Sequence, residues 1–214
     1  MQDLSKFQHP RFARAYERMS AESERWVSAH RRRLLAGLAG RVVEIGAGNG
    51  MNFAHYPPEV REVVAVEPED RLRALAERAA GGVAVPVRVV AGHGGAVPVE
   101  DGGFDAAVVS MVLCSVPDQA KALAEVRRVL RPGGELRFFE HVRSDRPGVA
   151  LLQDLVSPLW RRVAGGCRLN RDTERVIRDS GLVIEERQRF AFRATPSSPS
   201  LPHILGRARN PDTS

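Results

Sequence analysis

The sequence has few of the features that mark secreted, disulfide-bonded or membrane-spanning proteins. Only two cysteines occur among its 214 residues, Cys114 and Cys167. Two are too few for a disulfide framework, and they lack a metal-ligand spacing. The chain has no run of about 18 apolar residues for a membrane span, and its first residues lack the apolar stretch of a signal peptide. These absences predict a cytoplasmic protein with reduced thiols and no membrane span.

Lysine is also scarce, although the chain is basic. It carries 32 lysines and arginines against 26 acidic residues, a net charge of +6, and only Lys6 and Lys121 are lysines. The arginines are spread along the whole chain without a basic stripe interleaved with aromatic residues, so we expect no nucleic-acid partner. The triple arginine at 31–33 is expected to lie on a solvated helix face, and peripheral contact with phospholipid headgroups stays open as the alternative.

The most informative stretch is a short apolar run, residues 42–45, that ends abruptly in glycines. Gly46, Gly48 and Gly50 follow at alternate positions. Glycine tolerates positive φ and lets the backbone approach a ligand closely, and amides at a helix start attract acceptor groups. A dinucleotide fingerprint places its third glycine one residue later, where this chain has Met51. The turn therefore predicts a ligand site, with a nicotinamide-dependent enzyme as the weaker interpretation.

Strands and helices alternate after this turn. The predicted strands are 62–67, 85–91, 104–110 and 135–141, and the predicted helices are 51–56, 68–80 and 118–130. This alternation of strands and helices is typical of an α/β protein with a doubly wound parallel sheet and right-handed crossovers. In such sheets ligands lie beyond the C-terminal ends of the strands.

Both ends of the chain depart from that alternation of strands and helices. Residues 12–38 have helical spacing, with a second helix expected to start at Ser20, and form an N-terminal helical arm at 1–40. A ligand-binding core at 41–141 follows. The remainder, 142–214, has predicted helices at 149–163 and 172–180, strands at 182–188 and 204–208, and a proline- and serine-rich link at 195–202. We expect these three parts to form one domain, either monomeric or homodimeric.

Several motifs make the chain similar to a known enzyme class. The general ones are VEIGAGNG at 43–50, Glu67, FDAAVVSMVLCSV at 104–116 and EVRRVLRPGGELRFFEHV at 125–142. They resemble class I methyltransferases that use S-adenosyl-L-methionine (SAM). The motifs LCSV at 113–116, EHV at 140–142, GCRL at 166–169 and PHI at 202–204, with Gly206, resemble the methyltransferase-like 7 group, known for thiol S-methylation.

The resemblance implies a Rossmann-like sheet of seven strands in the order 3-2-1-4-5-7-6, the last antiparallel. It implies SAM as cofactor and S-adenosylhomocysteine as product, with Glu44 near the amino end of the methionine part and Glu67 on both ribose hydroxyls. Many relatives carry an acidic residue after the third strand, where this chain has Gly92 and His93. The predicted cofactor-binding residues are Tyr16, Glu44, Gly46, Ala47, Gly48, Gly50, Asn52, Glu67, Pro68, Gly92, His93, Ser110, Met111 and Val112.

Methyl transfer from a sulfonium is an in-line displacement whose leaving group needs no activation, so alignment and desolvation do most of the catalysis. The expected acceptor is a small molecule, with the sulfur of a small alkyl thiol preferred. The alternatives are a carbon, oxygen or nitrogen of a quinone precursor, another small metabolite or a phospholipid amine, and, more distantly, a non-catalytic SAM- or nucleic-acid-binding protein.

The residues expected to border the acceptor include four candidates for a general base. They are His141, Asp154 and His203, together with Glu140. Cys114 has the apolar neighbours Val112, Leu113 and Val116, so we expect a buried, unionised thiol there. The scattered histidines show no metal-ligand spacing, and no metal is expected.

Overall fold

The computed structural model describes residues 2–195 and 198–211, in which seven strands form a single sheet. The strands are β1 Gly40–Ile45, β2 Val60–Glu67, β3 Val87–Ala91, β4 Phe104–Ser110, β5 Leu130–His141, β6 Val183–Phe192 and β7 Leu201–Arg209. The sheet order is β3-β2-β1-β4-β5-β7-β6, and β7 runs antiparallel to both of its neighbours. The predicted topology is confirmed.

Five α-helices cover the two faces of the sheet. They are α1 Pro10–Leu35, α2 Asp70–Ala80, α3 Gln119–Val129, α4 Pro147–Val163 and α5 Thr173–Asp179. The central strands β1, β2 and β4 have mostly buried, apolar residues between their ends because both faces are covered. In β1, Val43 and Ile45 pack in one core with Leu123 of α3, while Val42 packs in the opposite core with Leu35 of α1.

The N-terminal arm differs from the prediction in one respect. Residues 10–35 form one continuous helix, so the expected second start at Ser20 is wrong. The hydroxyl of Ser20 donates to the carbonyl of Glu17, and that of Ser23 donates to the carbonyl of Ser20. Serine side chains that bond carbonyls three residues back are compatible with a helix interior. These serines therefore do not cap a new helix.

Other differences concern the ends of elements. The segment predicted as a helix at 51–56 contains only a 3-10 turn, Phe53–His55. Strand β5 begins at Leu130 and includes the predicted turn at 131–134, and β3 begins after Pro86, at the sheet edge that suits a nearby proline. Within the link predicted at 195–202, residues 196–197 lie outside the described residues, and residues 201–202 belong to β7.

Helix α4 carries an exposed apolar stripe. Leu151, Leu155 and Leu159, spaced four residues apart, are each at least 60% exposed. They lie on one face because residues four apart are neighbours on a helix surface. None of the helices in the described ranges is both long enough and apolar enough to cross a bilayer.

Gly206 of β7 is required by a close backbone approach. A Cβ atom at this position would lie 2.1 Å from the carbonyl oxygen of Glu186 and 2.8 Å from the ring of Phe138. The register of β6 shifts between Ile184 and Glu186, next to this contact. We expect Gly206→Ala to lower the free energy of unfolding by on the order of 2–3 kcal/mol, since the strands must separate to admit the methyl group.

Urea denaturation measures this effect, and Gly148→Ala is the matched control. A Cβ atom at Gly148 in α4 meets nothing within 4 Å, so the control is expected to change stability by less than about 1 kcal/mol, towards stabilisation. Equal stability of the two variants would contradict the packing argument.

Candidate active site

A cavity of about 510 Å³ lies at the C-terminal ends of β1, β2 and β4. This is the position expected for a ligand in a doubly wound sheet, and the volume suits a small molecule. Its walls come from the strand ends with the start of α2, from the N-terminal arm, and from the end of α4 with the segment that joins it to α5. The strand ends contribute most of the predicted cofactor residues.

The glycine turn after β1 forms the floor of this cavity. Gly46 and Gly48 have φ values of 71° and 58°, a region that disfavours other residues. A Cβ atom on Gly46 would also lie 2.6 Å from the side chain of Val112. Val112 therefore packs against Gly46, and the turn reaches the cavity at Gly46 and Gly48.

Glu67 is the acidic group in this part of the cavity. Its two carboxylate oxygens accept hydrogen bonds from the amides of Gly48, at 2.8 Å, and Glu69, at 2.9 Å. Burial raises the pKa of Glu67 to about 7, against the effect of these two amides, which lower it. Each carboxylate oxygen has a second lone pair, so Glu67 keeps acceptor capacity for hydroxyl groups of a ligand.

Glu44 belongs to a buried network behind the glycine turn. Its oxygens accept from Asn52 Nδ2 at 2.7 Å and from the Tyr56 hydroxyl at 2.8 Å. Asn52 Oδ1 in turn accepts from Arg31 of α1 at 2.8 Å. Glu44 and Asn52 thus connect the helical arm to the strand that precedes the glycines.

Glu140 fixes the turn that follows β4. It is fully buried, and its oxygens accept from the amides of Val112 and Leu113 at 2.9 Å and Cys114 at 3.1 Å. Burial raises its pKa to about 7, while the amides act in the opposite direction. With its oxygens committed to three amides, Glu140 positions this turn, and the structure offers no contact that supports its predicted role as a base.

Met111, at the start of the same turn, has a φ of 61°, the only positive value at a non-glycine residue in the described ranges. Its amide donates to the carbonyl of Phe139 at 2.7 Å. Left-handed backbone at such a residue costs free energy and persists where the surroundings impose it. Met111 and Val112 line the cavity, so the strained segment lies directly against the site.

The N-terminal arm covers the cavity. Tyr16 borders Gly48, and a Cβ atom on Gly48 would lie 3.4 Å from its ring. Before α1, Phe7 stacks on His93 at a centroid distance of 4.6 Å, and Gln8 donates to the carbonyl of Pro68 at 2.8 Å. Tyr16 also lines the cavity, together with Phe7 of the same arm.

The predicted cofactor residues divide into two groups. Those that line the cavity are Tyr16, Gly46, Gly48, Glu67, Pro68, His93, Ser110, Met111 and Val112. Those that do not line it are Glu44, Ala47, Gly50, Asn52 and Gly92. Cavity residues that the sequence interpretation missed are Lys6, Phe7, His9, Phe12, Glu69, Leu72, Arg161, Arg162 and Arg168. Most of these lie on the N-terminal arm or at the end of α4, outside the motifs found in the sequence; Arg168 belongs to the GCRL motif, which the sequence did not assign to the cavity.

The three predicted catalytic residues do not line the cavity. Asp154, on α4, accepts from Arg143 at 2.7 Å, and this guanidinium holds the pKa of its carboxyl below the usual value. His203 is buried, which lowers its pKa to about 3, and its Nδ1 lies 2.8 Å from the carbonyl of Leu201. His141 packs on His203 at a ring-centroid distance of 4.4 Å. These positions stay predictions for catalysis.

Cys114 is buried, as predicted, but it is not isolated. Its sulfur, that of Cys167 and a ring nitrogen of His141 all lie within 4.8 Å of one another. The pKa of Cys114 is raised and that of Cys167 is lowered, first of all because the Cys114 thiol donates towards the Cys167 sulfur. Cys114 therefore remains the unionised member of the pair.

Glu44→Gln tests the electrostatic description of the site. Burial raises the pKa of Glu44 from 4.5 to about 7, so the folded state binds the proton more tightly than the unfolded state. The stability that this proton binding contributes is present below about pH 4.5 and is lost as the pH rises through about 7. Glutamine does not titrate, so the variant is not destabilised in this way. The free energy of unfolding of Glu44→Gln relative to that of wild type should therefore rise by on the order of 3 kcal/mol from about pH 5 to about pH 8.

Urea denaturation of wild type and variant at both pH values measures their free energies of unfolding. The pH dependence due to all other titratable groups is the same in both proteins and cancels in the difference. Glu22→Gln, at an exposed position of α1, controls for the loss of a carboxylate as such. A difference between Glu44→Gln and wild type that does not change with pH would contradict the prediction.

Comparison with known proteins agrees with this geometry. A family model described as "Methyltransferase domain" matches residues 43–138. The human thiol S-methyltransferase TMT1B is 35% identical over 184 residues, which cover 81% of this chain and 73% of that protein. Human thiol S-methyltransferase TMT1A is 33% identical over 175 residues, which cover 78% of this chain and 70% of that protein.

A solved structure supports the fold. Geranyl diphosphate methyltransferase in complex with SAM superimposes with a TM-score of 0.71, covering 97% of this chain and 95% of its own, at 20% sequence identity. Sequence identity to the human enzymes extends over most of the chain, and the sheet order and cavity position are those that the resemblance implied. The chain belongs to the class I SAM-dependent methyltransferases, in the family that includes the thiol S-methyltransferases TMT1A and TMT1B.

Proposed function

We propose that this methyltransferase transfers the methyl group of SAM to the sulfur of a small thiol. The observation that carries the proposal is the 35% identity over 81% of the chain to a human enzyme named for thiol S-methylation. The cavity supports it by its size, its position and the charges along its walls.

The strand-end half of the cavity fits SAM. The backbone of the glycine turn is open to a ligand, because Gly46 and Gly48 carry no side chain there. Glu67 faces the cavity with free acceptor capacity, which suits two neighbouring ribose hydroxyls. The turn at 110–112, whose Val112 packs against Gly46, also lines the cavity. When bound, SAM supplies an electrophilic methyl group on a sulfonium.

The other half of the cavity suits an anionic sulfur. Arg161, Arg162 and Arg168 line this part, and none of them makes an ion pair among the described residues. Cations near a thiol favour its thiolate, which is the nucleophile. These arginines can therefore raise the thiolate fraction of a bound thiol without a dedicated base. This fits the position of the predicted base candidates outside the cavity lining.

Apolar side chains can exclude water from the reacting pair. Phe12 and Tyr16 of α1 contact each other, with ring centroids 5.7 Å apart, and both line the cavity beside Val116. A covered, apolar site strengthens electrostatic interactions and holds the acceptor in line with the methyl group. We assign alignment and desolvation of the acceptor to these residues.

Glu67→Ala tests the cofactor half of the proposal. Loss of two hydrogen bonds to a charged acceptor should weaken SAM binding by on the order of 100-fold or more. Isothermal titration calorimetry measures the affinity, and near-ultraviolet circular dichroism verifies folding. Glu77→Ala, at an exposed position of α2, is the matched control and should bind SAM as wild type does. Unchanged affinity in Glu67→Ala would remove the ribose assignment.

The acceptor is identified by S-adenosylhomocysteine release from the purified chain with SAM. Small alkyl thiols are compared with amines, phenols and quinone precursors at matched concentration. We expect turnover with thiols and at least about 10-fold less with the other classes, because only the thiols ionise readily beside the arginines. Tight SAM binding without turnover of any thiol would discard the thiol assignment, and turnover of a quinone precursor or amine would replace it.

A further inference from the structure

Four segments that carry the resemblance to the methyltransferase-like 7 group meet at one place beside the cavity. Cys114 follows β4, His141 ends β5, Cys167 follows α4, and His203 lies in β7. The amide of Arg168 donates to the carbonyl of Cys114 at 2.9 Å, which holds the two cysteine segments together. The proposed methyl transfer leaves the cysteines and His141 without a role.

The three ligand atoms have the spacing of a metal site. Cys114 Sγ, Cys167 Sγ and a ring nitrogen of His141 lie within 4.8 Å of one another, and His141 Nδ1 is 3.4 Å from Cys167 Sγ. Tetrahedral zinc with Zn–N of about 2.05 Å and Zn–S of about 2.3 Å places nitrogen and sulfur about 3.5 Å apart. A small adjustment of side chains therefore suffices to bind an ion.

The surroundings suit two thiolates and an ion. Trp160 packs against the apolar cluster that contains both cysteines, and its indole Nε1–H is buried without a well-formed hydrogen bond. Such a donor can stabilise a metal-bound sulfur, as hydrogen bonds around ligands commonly do. The amide of Cys114 is held by Glu140, and a buried segment that cannot move freely presents its sulfur at a fixed position. Two thiolates would match the charge of a divalent cation.

We propose that Cys114, Cys167 and His141 form a binding site for Zn²⁺. Cysteine and histidine are the preferred zinc ligands, and three of them leave one tetrahedral position for a further ligand. Ser115 and Gly166, which adjoin the two cysteines in the chain, line the cavity. The ion therefore lies close to the cavity wall. The site does not depend on the identity of the methyl acceptor.

The full-length protein, purified without chelators and with a phosphine reductant, tests the proposal. Mass spectrometry of the metal content should find about one zinc per chain after dialysis against zinc. Replacement by Co²⁺ should give the absorption band of thiolate-to-cobalt charge transfer. Competition with a chromophoric chelator measures the affinity. Cys114→Ser, Cys167→Ser and His141→Asn should each weaken it by on the order of 100-fold.

His55→Asn is the control, because His55 pairs with Glu24 at 3.0 Å and belongs to no such cluster; it should bind zinc as wild type does. If a cysteine variant does not fold, the cobalt spectrum of the wild-type protein tests whether thiolates bind the metal. The absence of both stoichiometric zinc and the charge-transfer band overturns the proposal, as does zinc binding that survives loss of both cysteines. SAM binding by calorimetry, measured on the same samples, reports separately on the methyltransferase assignment.

Discussion

The site depends on one buried carboxylate, that of Glu140. Glu140 lies in β5, the strand next to β4. Its oxygens accept hydrogen bonds from three consecutive backbone amides of the turn after β4. Unpaired buried amides would cost about 1–3 kcal/mol each, so this carboxylate satisfies donors that the turn could not satisfy itself. The arrangement keeps Met111 in a left-handed conformation and places Val112 against Gly46. One acid thus determines where the cavity wall stands and where Cys114 presents its sulfur.

Two further carboxylates at neighbouring strand ends are also buried and also accept hydrogen bonds from nearby groups. Glu44 of β1 and Glu67 of β2 have pKa values raised to about 7 by burial, like Glu140. They differ in what compensates the burial: Asn52 and Tyr56 for Glu44, and backbone amides for Glu67. Of the three, only Glu67 lines the cavity. Glu140 holds backbone amides in place and Glu44 holds the side chains of Asn52 and Tyr56, which explains why an acid in a motif need not contact the ligand.

The central sheet could be predicted because its strands are short, mostly apolar runs that alternate with helical segments, and the strand order came from the resemblance. The glycine turn and Glu67 could be identified because their roles depend on backbone freedom and charge, which residue type reveals. The covering residues Phe7 and Arg161 could not, since only tertiary packing brings them to the cavity. The cluster of Cys114, His141 and Cys167 was missed for a similar reason. Its members are distant in sequence, and folding alone brings them together, so no spacing along the chain reveals them.

The order of strands in the sheet also has a consequence for synthesis on the ribosome. Strand β7 follows the other six described strands in the chain and lies between β5 and β6. Until residues 201–209 leave the ribosome, β5 lacks one of its two partners among the described strands and β6 lacks its one partner there, so both present unpaired edges. Exposed strand edges invite pairing with other chains. The nascent protein therefore exposes the edges of β5 and β6 until β7 has been synthesised, and pairing with other chains can compete with folding during that interval.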